Sequence, residues 1–331
     1  MKVGITYDLR DEYLKQGFNE EETAEFDRKD TIDAIEEALR ALGHRTVRIG
    51  HVRSLLQALL RGERWDLVFN IAEGLYGVAR EALIPAILDA YQIPYTFSDP
   101  LVLALSLHKG MTKRIISSLG IPTPNFAEVD TLSQVEKITL TYPLFVKPVA
   151  EGTGKGITEN SKIESKGELV EQCRYLLEKY KEPVLVEEYV GGREFTVGII
   201  GTGEEAEVIG TLEVIPKQGA EAHAYSYENK EKCEELIEYR LYTDKDLNVI
   251  AAMALAAWRG LGCRDAGRVD FRCDEKGNPF FLEINPLAGL HPSHSDLPIV
   301  ASQVGISYLE LIKRIMTQAS QRLAPGQVKG Y

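Results

Sequence analysis

Apolar positions along the chain change their spacing in a regular way, and the changes mark out strands and helices. Val3-Gly4-Ile5-Thr6-Tyr7 is a short apolar run that predicts a buried strand. After a polar stretch, Ile32, Ile35, Leu39 and Leu42 fall on one face at helical spacing. They predict a helix from Asp30, as N-cap, to Leu42, stopped by Gly43. Strands are expected at Thr46–Ile49 and Leu67–Ile71, with a helix around Ser54–Arg61 between them. This βαβ rhythm calls for a parallel sheet flanked by helices.

The rhythm changes at Ser98-Asp99-Pro100, which reads as an N-cap with proline at the first helical position. Helices near 101–106 and 108–119 end at Gly120, and Ile121-Pro122-Thr123-Pro124 is an extended connector. A strand at Leu144–Pro148, a glycine-rich loop at 150–156, a helix at 166–180 and a strand at Val184–Glu187 follow. Strands near 194–200 and 206–215 precede a polar stretch, 217–242, that has no clear period. A helix from Thr243 to Gly260 then leads into two apolar segments, Gly267–Asp270 and Phe281–Pro286, expected as adjacent buried strands. The last helix opens at Ser307, and Glu310 three residues on completes a capping box. The chain therefore divides into units at 1–100, 101–187 and 188–331, a multidomain mixture of α/β and α+β without internal repeats.

Composition narrows the function. A chain of 331 residues with 44% hydrophobic and 27% charged residues can bury a large core, as a soluble globular protein does. A net charge of −12 argues against nucleic acid as a partner, because such binders need a basic surface. The acidic runs at Glu20, Glu21, Glu22 and Glu25 and at 228–238 are expected as solvated faces. No run approaches the ~18 apolar residues of a membrane span, and the first residues read as a strand and not as a signal peptide. Four cysteines without CxxC spacing exclude a zinc ribbon or disulfide framework, so a cytoplasmic enzyme with free thiols is expected.

Four residues near the C-terminus carry the densest chemistry. Asp270, Glu283 and Asn285 put three oxygen ligands into buried strands, and Arg268 adds a fixed positive charge. Residues 283 and 285 share a strand face, because side chains alternate with period two. Two readings stand: a structural ion pair between Arg268 and a carboxylate, or a Mg²⁺ site built from carboxylates plus substrate phosphates. Lys147 ends an apolar strand and leads into Glu151-Gly152-Thr153-Gly154-Lys155-Gly156. That is either a plain hairpin or a phosphate loop, in which glycines let backbone N–H groups approach an anion. Val184–Val190 runs into Glu187 and Glu188, with Glu194 beyond: solvated strand-end acids, or a hinge that holds a purine and its ribose. His291-Pro292-Ser293-His294-Ser295-Asp296 lacks the helical i, i+4 spacing of a zinc pair and reads as a polar loop near substrate, with Ser295 as its binding residue.

Together and in this order, these segments resemble the ATP-grasp superfamily, and specifically the D-alanine–D-alanine ligases. The likeness runs from about residue 67 to 315. It rests on LHKGMTK (107–113), PLFVKPVAEGTGKG (143–156), VLVEEYVGGREFTV (184–197), YSYENK (225–230) and GRVDF…FLEINPLAGLHPSHSDLP (267–298). The resemblance implies an ATP-grasp fold behind an N-terminal Rossmann-like domain, a homodimer, small amino-acid or carboxylate substrates, and ATP between the second and third units. Lys109 and Lys147 would contact its phosphates under Thr153 and Gly154. Glu187 and the backbone of Glu188 and Val190 would hold adenine, and Glu194 the ribose. Asp270, Glu283 and Asn285 would bind two Mg²⁺ ions, or Mn²⁺, and Lys230 would close over the γ-phosphate. Arg268 and the N–H of Gly289 would stabilise an oxyanion, and Ser295 would bind the carboxylate of the amine-donating amino acid.

The chain also departs from the family. Glu73-Gly74 replaces a histidine-glycine pair, and Val78-Ala79 replaces an acidic pair, with Arg80 next to Glu81. Residues 8–30 contain no evident match for the glutamate that fixes the first amino acid, and Glu231 replaces its tyrosine partner. Glu73 and Arg80 are therefore candidates for an altered first-substrate subsite, with Arg80 either binding a carboxylate or pairing with Glu81 at the surface. Three functions follow: a carboxylate–amine ligase with a rewritten first subsite, an authentic D-alanine–D-alanine ligase, or a non-catalytic nucleotide-binding module.

Overall fold

The computed structural model describes residues 1–217, 233–243 and 247–323. Its first sheet is parallel, in the order β2 (Arg45–Gly50), β1 (Lys2–Thr6), β3 (Leu67–Asn70), as the βαβ rhythm predicts. Helix Lys29–Ala41 lays Ile32, Ile35 and Leu39 on Val3, Ile5 and Phe69. It starts one residue before the expected N-cap, Asp30, whose carboxylate accepts from Thr31 N–H and contacts His291 instead. The same core takes Leu311, Ile312, Ile315 and Met316 from helix Tyr308–Gln321, so the end of the chain packs back onto its beginning.

The second sheet is antiparallel, in the order β4 (Phe126–Val129), β7 (Val184–Glu188), β5 (Leu144–Pro148), β6 (Lys162–Ile163). Helix Lys166–Tyr180 covers it with Leu169, Cys173 and Leu176. The third is also antiparallel, in the order β10 (Ile237–Leu241), β9 (Glu207–Pro216), β8 (Glu194–Ile200), β11 (Ala266–Cys273), β12 (Pro279–Asn285). Ala254, Ala257 and Trp258 of helix Leu247–Leu261 pack on it.

Most boundaries lie within two residues of those expected, and Asp99 caps helix Pro100–Leu107 by accepting from Val102 N–H. Only half of the expected capping box forms at Ser307: its hydroxyl accepts from Glu310 N–H, but the Glu310 carboxylate turns to Lys313 and Arg314. Cys173, Cys263 and Cys273 are buried and in no disulfide. Among the described residues, no helix is long and apolar enough to cross a membrane.

Candidate active site

Strands β11 and β12 pair so that Arg268 lies opposite Asn285 and Asp270 opposite Glu283. Opposed residues of an antiparallel pair share a face, and so do residues two apart. All four side chains therefore meet on one side of the sheet. Asp270 is 8% exposed. One of its oxygens accepts from Thr196 Oγ1 at 2.8 Å, and the other meets the Arg268 guanidinium and Asn285 Nδ2. Arg268 also reaches Asp296 at 3.5 Å. Burial alone would weaken its hold on its proton, but Asp270, Asp296 and Glu283 outweigh that. The ion-pair reading of this set is thus geometrically real, and it does not exclude the other. Among the described residues, no three His, Cys, Asp or Glu side chains form a ready metal cage. Two carboxylates and one amide on a single face suit Mg²⁺ all the same, since that ion completes its shell with phosphates and water.

A cleft between the second and third sheets is lined by Lys147, Thr153, Glu187, Val190 and Glu194, with Asp270 and Glu283 at one end. Lys147 and Glu187 lie on adjacent strands, and their side chains meet at 2.7 Å. A second lysine, Lys113, is fully buried and sits 2.8 Å from the other Glu187 oxygen. Burial would raise the Glu187 carboxyl, yet the two lysines hold it down at about 2. Burial lowers Lys113 to about 8 despite Glu187, whereas Lys147 is kept more firmly protonated. The adenine contact expected of Glu187 thus needs restating: each oxygen already faces a lysine. Glu188 is similarly committed, with its N–H donated to Asn125 O and its carboxylate accepting from Asn125 Nδ2 and Thr141 N–H. Glu194 lies opposite Arg272 on β11, 3.8 Å away.

The glycine loop lines this cleft with Gly152, Thr153, Gly154 and Lys155. Thr153 has a φ of +51° and Gly154 one of +72°. A β-branched residue in that region is a backbone outlier, of the kind that clusters at ligand clamps. The loop is held from the first unit. Glu25 accepts from Gly152 N–H, receives two hydrogen bonds from Arg80 at 2.8 and 3.0 Å, and lies 3.2 Å from Lys155. Glu151 contacts Lys155 and lies 3.7 Å from Arg80. Burial would raise the Glu25 carboxyl, but Arg80 and Lys155 hold it at about 2. Two expectations are corrected here. Glu25 is not on a solvated acidic face, because two cations and a backbone N–H compensate it inside. Arg80 is not paired with Glu81 at the surface; it is 5% exposed and taken by Glu25.

A second cleft opens between the first and third units, lined by Glu73, Glu81, Gly289, Ser295 and Asp27. Ser295 sits at the N-terminus of helix Asp296–Gln303, and its hydroxyl accepts from His291 N–H at 3.0 Å. Gly289 packs so closely that a Cβ there would lie 2.8 Å from Ser295 Oγ. Lys109, Gly152, Thr153, Arg268, Glu283 and Asp296 line both clefts, so these residues are the wall where the two meet. On that wall Lys109 donates to Glu151 O at 2.6 Å and lies 3.7 Å from Glu283. Burial lowers its pKa. Lys230 and Glu231, with the rest of YSYENK, lie outside the described residues.

Sequence reasoning missed Lys113, Glu25, Lys155 and Glu81. Lys113 left a signal, since it follows Lys109 by four residues on one helix and shares its face. Glu25 left none, because nothing local separates it from its acidic neighbours.

Comparison with known proteins agrees with this layout. The family described as the C-terminus of D-ala D-ala ligase matches residues 115–317. The D-alanine–D-alanine ligase of Aquifex aeolicus is 36% identical over 289 residues, 86% of this chain and 92% of the relative. The structure of a D-alanine–D-alanine ligase from Bacillus anthracis complexed with ATP superposes with a TM-score of 0.72 at 20% identity, covering 98% of each chain. The VanG D-Ala:D-Ser ligase of Enterococcus faecalis gives 0.73 at 22% identity, covering 96% of this chain and 99% of that one. Two clefts meeting at a lysine–arginine–carboxylate wall, on an ATP-grasp framework, are thus carried by a chain that belongs to the D-alanine–D-alanine ligase family of ATP-dependent ligases.

Proposed function

We propose that this protein joins a carboxylate to the amine of an amino acid through an acyl phosphate, with ADP and inorganic phosphate released and an acyl donor other than D-alanine. One observation supports the reading: the two clefts share the Lys109–Arg268–Glu283 wall, so a γ-phosphate bound in the first would lie beside a carboxylate bound in the second. ATP lies in the first cleft, with Lys109 and Lys147 on its phosphates, Thr153 and Gly154 above them, and Glu194 on the ribose. Glu187 serves mainly to orient Lys147, and the backbone at Glu188 and Val190 meets adenine. Asp270, Glu283 and Asn285 hold Mg²⁺, which when bound neutralises phosphate charge during transfer.

The donor carboxylate oxygen attacks the γ-phosphorus and ADP leaves. The acceptor amine then attacks the acyl carbon, and the tetrahedral oxyanion collapses with loss of phosphate and of the amine proton. Arg268 and Gly289 N–H stabilise that oxyanion, Ser295 orients the acceptor carboxylate, and Lys230 covers the γ-phosphate. The test is incubation with ATP, Mg²⁺ and pairs of amino acids, reading ADP release and amide mass. A mixed pair should turn over while D-alanine alone does not. Efficient turnover of D-alanine alone would instead identify an authentic D-alanine–D-alanine ligase, and ATP binding without turnover of any pair would identify a regulatory module. Arg268→Ala should lower kcat about 10²–10³-fold, the usual cost of one oxyanion donor. An unchanged kcat would remove Arg268 from the mechanism.

A further inference from the structure

Arg268 faces two carboxylates, and only one of them belongs to the set proposed to hold Mg²⁺; the inference below rests on that reading of the site. Its Nη1 donates to the Asp270 oxygen that also meets Asn285 Nδ2 at 3.4 Å, while the other Asp270 oxygen is taken by Thr196. Its Nε lies 3.5 Å from one oxygen of Asp296, whose side chain is 10% exposed and lines both clefts. Asp296 is itself fixed from several directions. Tyr239 of β10 donates its hydroxyl to the second Asp296 oxygen at 3.0 Å. The backbone oxygen of Tyr239 accepts from Gln303 Nε2 at 3.0 Å, at the other end of helix Asp296–Gln303. Val300 of the same helix seats on β8 and β9 at two glycines, where a Cβ on Gly198 or Gly210 would come 2.9 or 3.1 Å from its Cγ1.

A carboxylate at the first position of a helix is ordinarily accounted for by the helix dipole. Here it also carries an ion pair to a strand residue and a tyrosine hydroxyl, which a dipole role does not need. A guanidinium and a divalent cation repel each other strongly on one carboxylate oxygen withdrawn from water. Arg268 therefore has to leave Asp270 when that oxygen takes up the metal, and leaving without a counter-charge would set a buried cation unpaired. We propose that Asp296, oriented by Tyr239, is a positioning residue that receives Arg268 when the metal binds. It frees the Asp270 oxygen and keeps the guanidinium on the wall where the two clefts meet. The adjacent Ser295 is the residue proposed to orient the acceptor carboxylate, so the start of one helix serves the acceptor and the oxyanion donor together.

The test uses the full chain saturated with a non-hydrolysable ATP analogue, with Mn²⁺ binding followed by electron paramagnetic resonance. Asp296→Asn should weaken Mn²⁺ binding about fivefold or more, because Arg268 stays on Asp270. With Arg268→Ala already in place, adding Asp296→Asn should cost nothing further, since the competing cation is gone. Tyr239→Phe removes one hydroxyl and should weaken Mn²⁺ binding about twofold or more, again only while Arg268 is present. That milder variant decides the matter if Asp296→Asn fails to fold. In turnover at saturating Mg²⁺, Asp296→Asn should lower kcat about fivefold or more and leave the KM for ATP within about twofold. Equal Mn²⁺ affinity in wild type and Asp296→Asn, the same loss with and without Arg268, or an unchanged kcat would each overturn the proposal. The parent reading fails separately: wild type that forms no amide from any pair, with the Mn²⁺ pattern as expected, sinks the ligase reading alone.

Discussion

At the scale of single residues, the site works by choosing which buried charges are compensated. Glu187 and Glu25 are each met by two cations, so their stabilising charge is present above about pH 4.5 and is lost only as pH falls towards 2. Glu81 behaves in the opposite sense. Burial pushes its carboxyl up to about 8; Glu25 adds to the shift, and Arg80 and Lys109 oppose it. Unfolded, the group ionises near its ordinary value of 4.5, so the folded chain binds the extra proton between about 4.5 and 8. Its contribution to stability is therefore full below pH 4.5 and lost as pH climbs to 8. Glu81→Gln removes this titration. The variant's Tm should fall by several degrees less than that of wild type between pH 5 and 8.5. Parallel Tm–pH curves for the two proteins would contradict the assignment.

At the scale of elements, β11 and β12 act as a plate that fixes Arg268, Asp270, Glu283 and Asn285. The close packing of β11 on β12 and on helix Leu247–Leu261 depends on Gly267, where a Cβ would come 2.5 Å from Asn285 O and 2.6 Å from the Trp258 ring. Neither neighbour is the loose end of a flexible chain. Gly267→Ala should destabilise by about 1–3 kcal/mol, the range for overpacking a filled site, and should lower kcat by tilting Arg268. Urea unfolding and steady-state kinetics read the two effects, and a wild-type midpoint would show that the strands adjust freely. This plate was legible in the sequence because apolar runs and period-two alternation act locally. Its partner across the cleft was legible only in part. The KPVAEGTGKG segment marks a loop of glycines, but the left-handed Thr153 and the hold of Glu25 on Gly152 come from a contact 127 residues apart.

For the whole molecule, the first unit is more than a neighbour of the ATP-grasp sheets. It supplies Glu25 and Arg80 to the glycine loop, and it shares its core with helix Tyr308–Gln321. Glu21 adds a second tether, to Lys179 and Tyr180. Arg80→Met strips a buried carboxylate of its main partner and should cost about 3 kcal/mol, near the lower end for breaking a buried pair. Adding Glu25→Gln should recover much of that loss, because no uncompensated charge remains. Equal destabilisation of the single and double variants in urea would show that the pair does not link the units.

The order of most strands and helices, the parallel first sheet and the shared face of Arg268, Asp270, Glu283 and Asn285 were legible in the sequence itself, whereas strand β4 and strand β10, which lies inside the stretch expected to be irregular, were not. Spacing, capping and turn chemistry are local properties of the chain, and five family motifs in register are a linear pattern. Tertiary structure alone decided that Glu187 is occupied by lysines, that Arg80 is buried, and that Glu25 stands apart from the other acids of its run. The reason is electrostatic. The state of a buried charge depends on which distant groups the fold brings within a few ångströms, and no spacing along the chain encodes that distance.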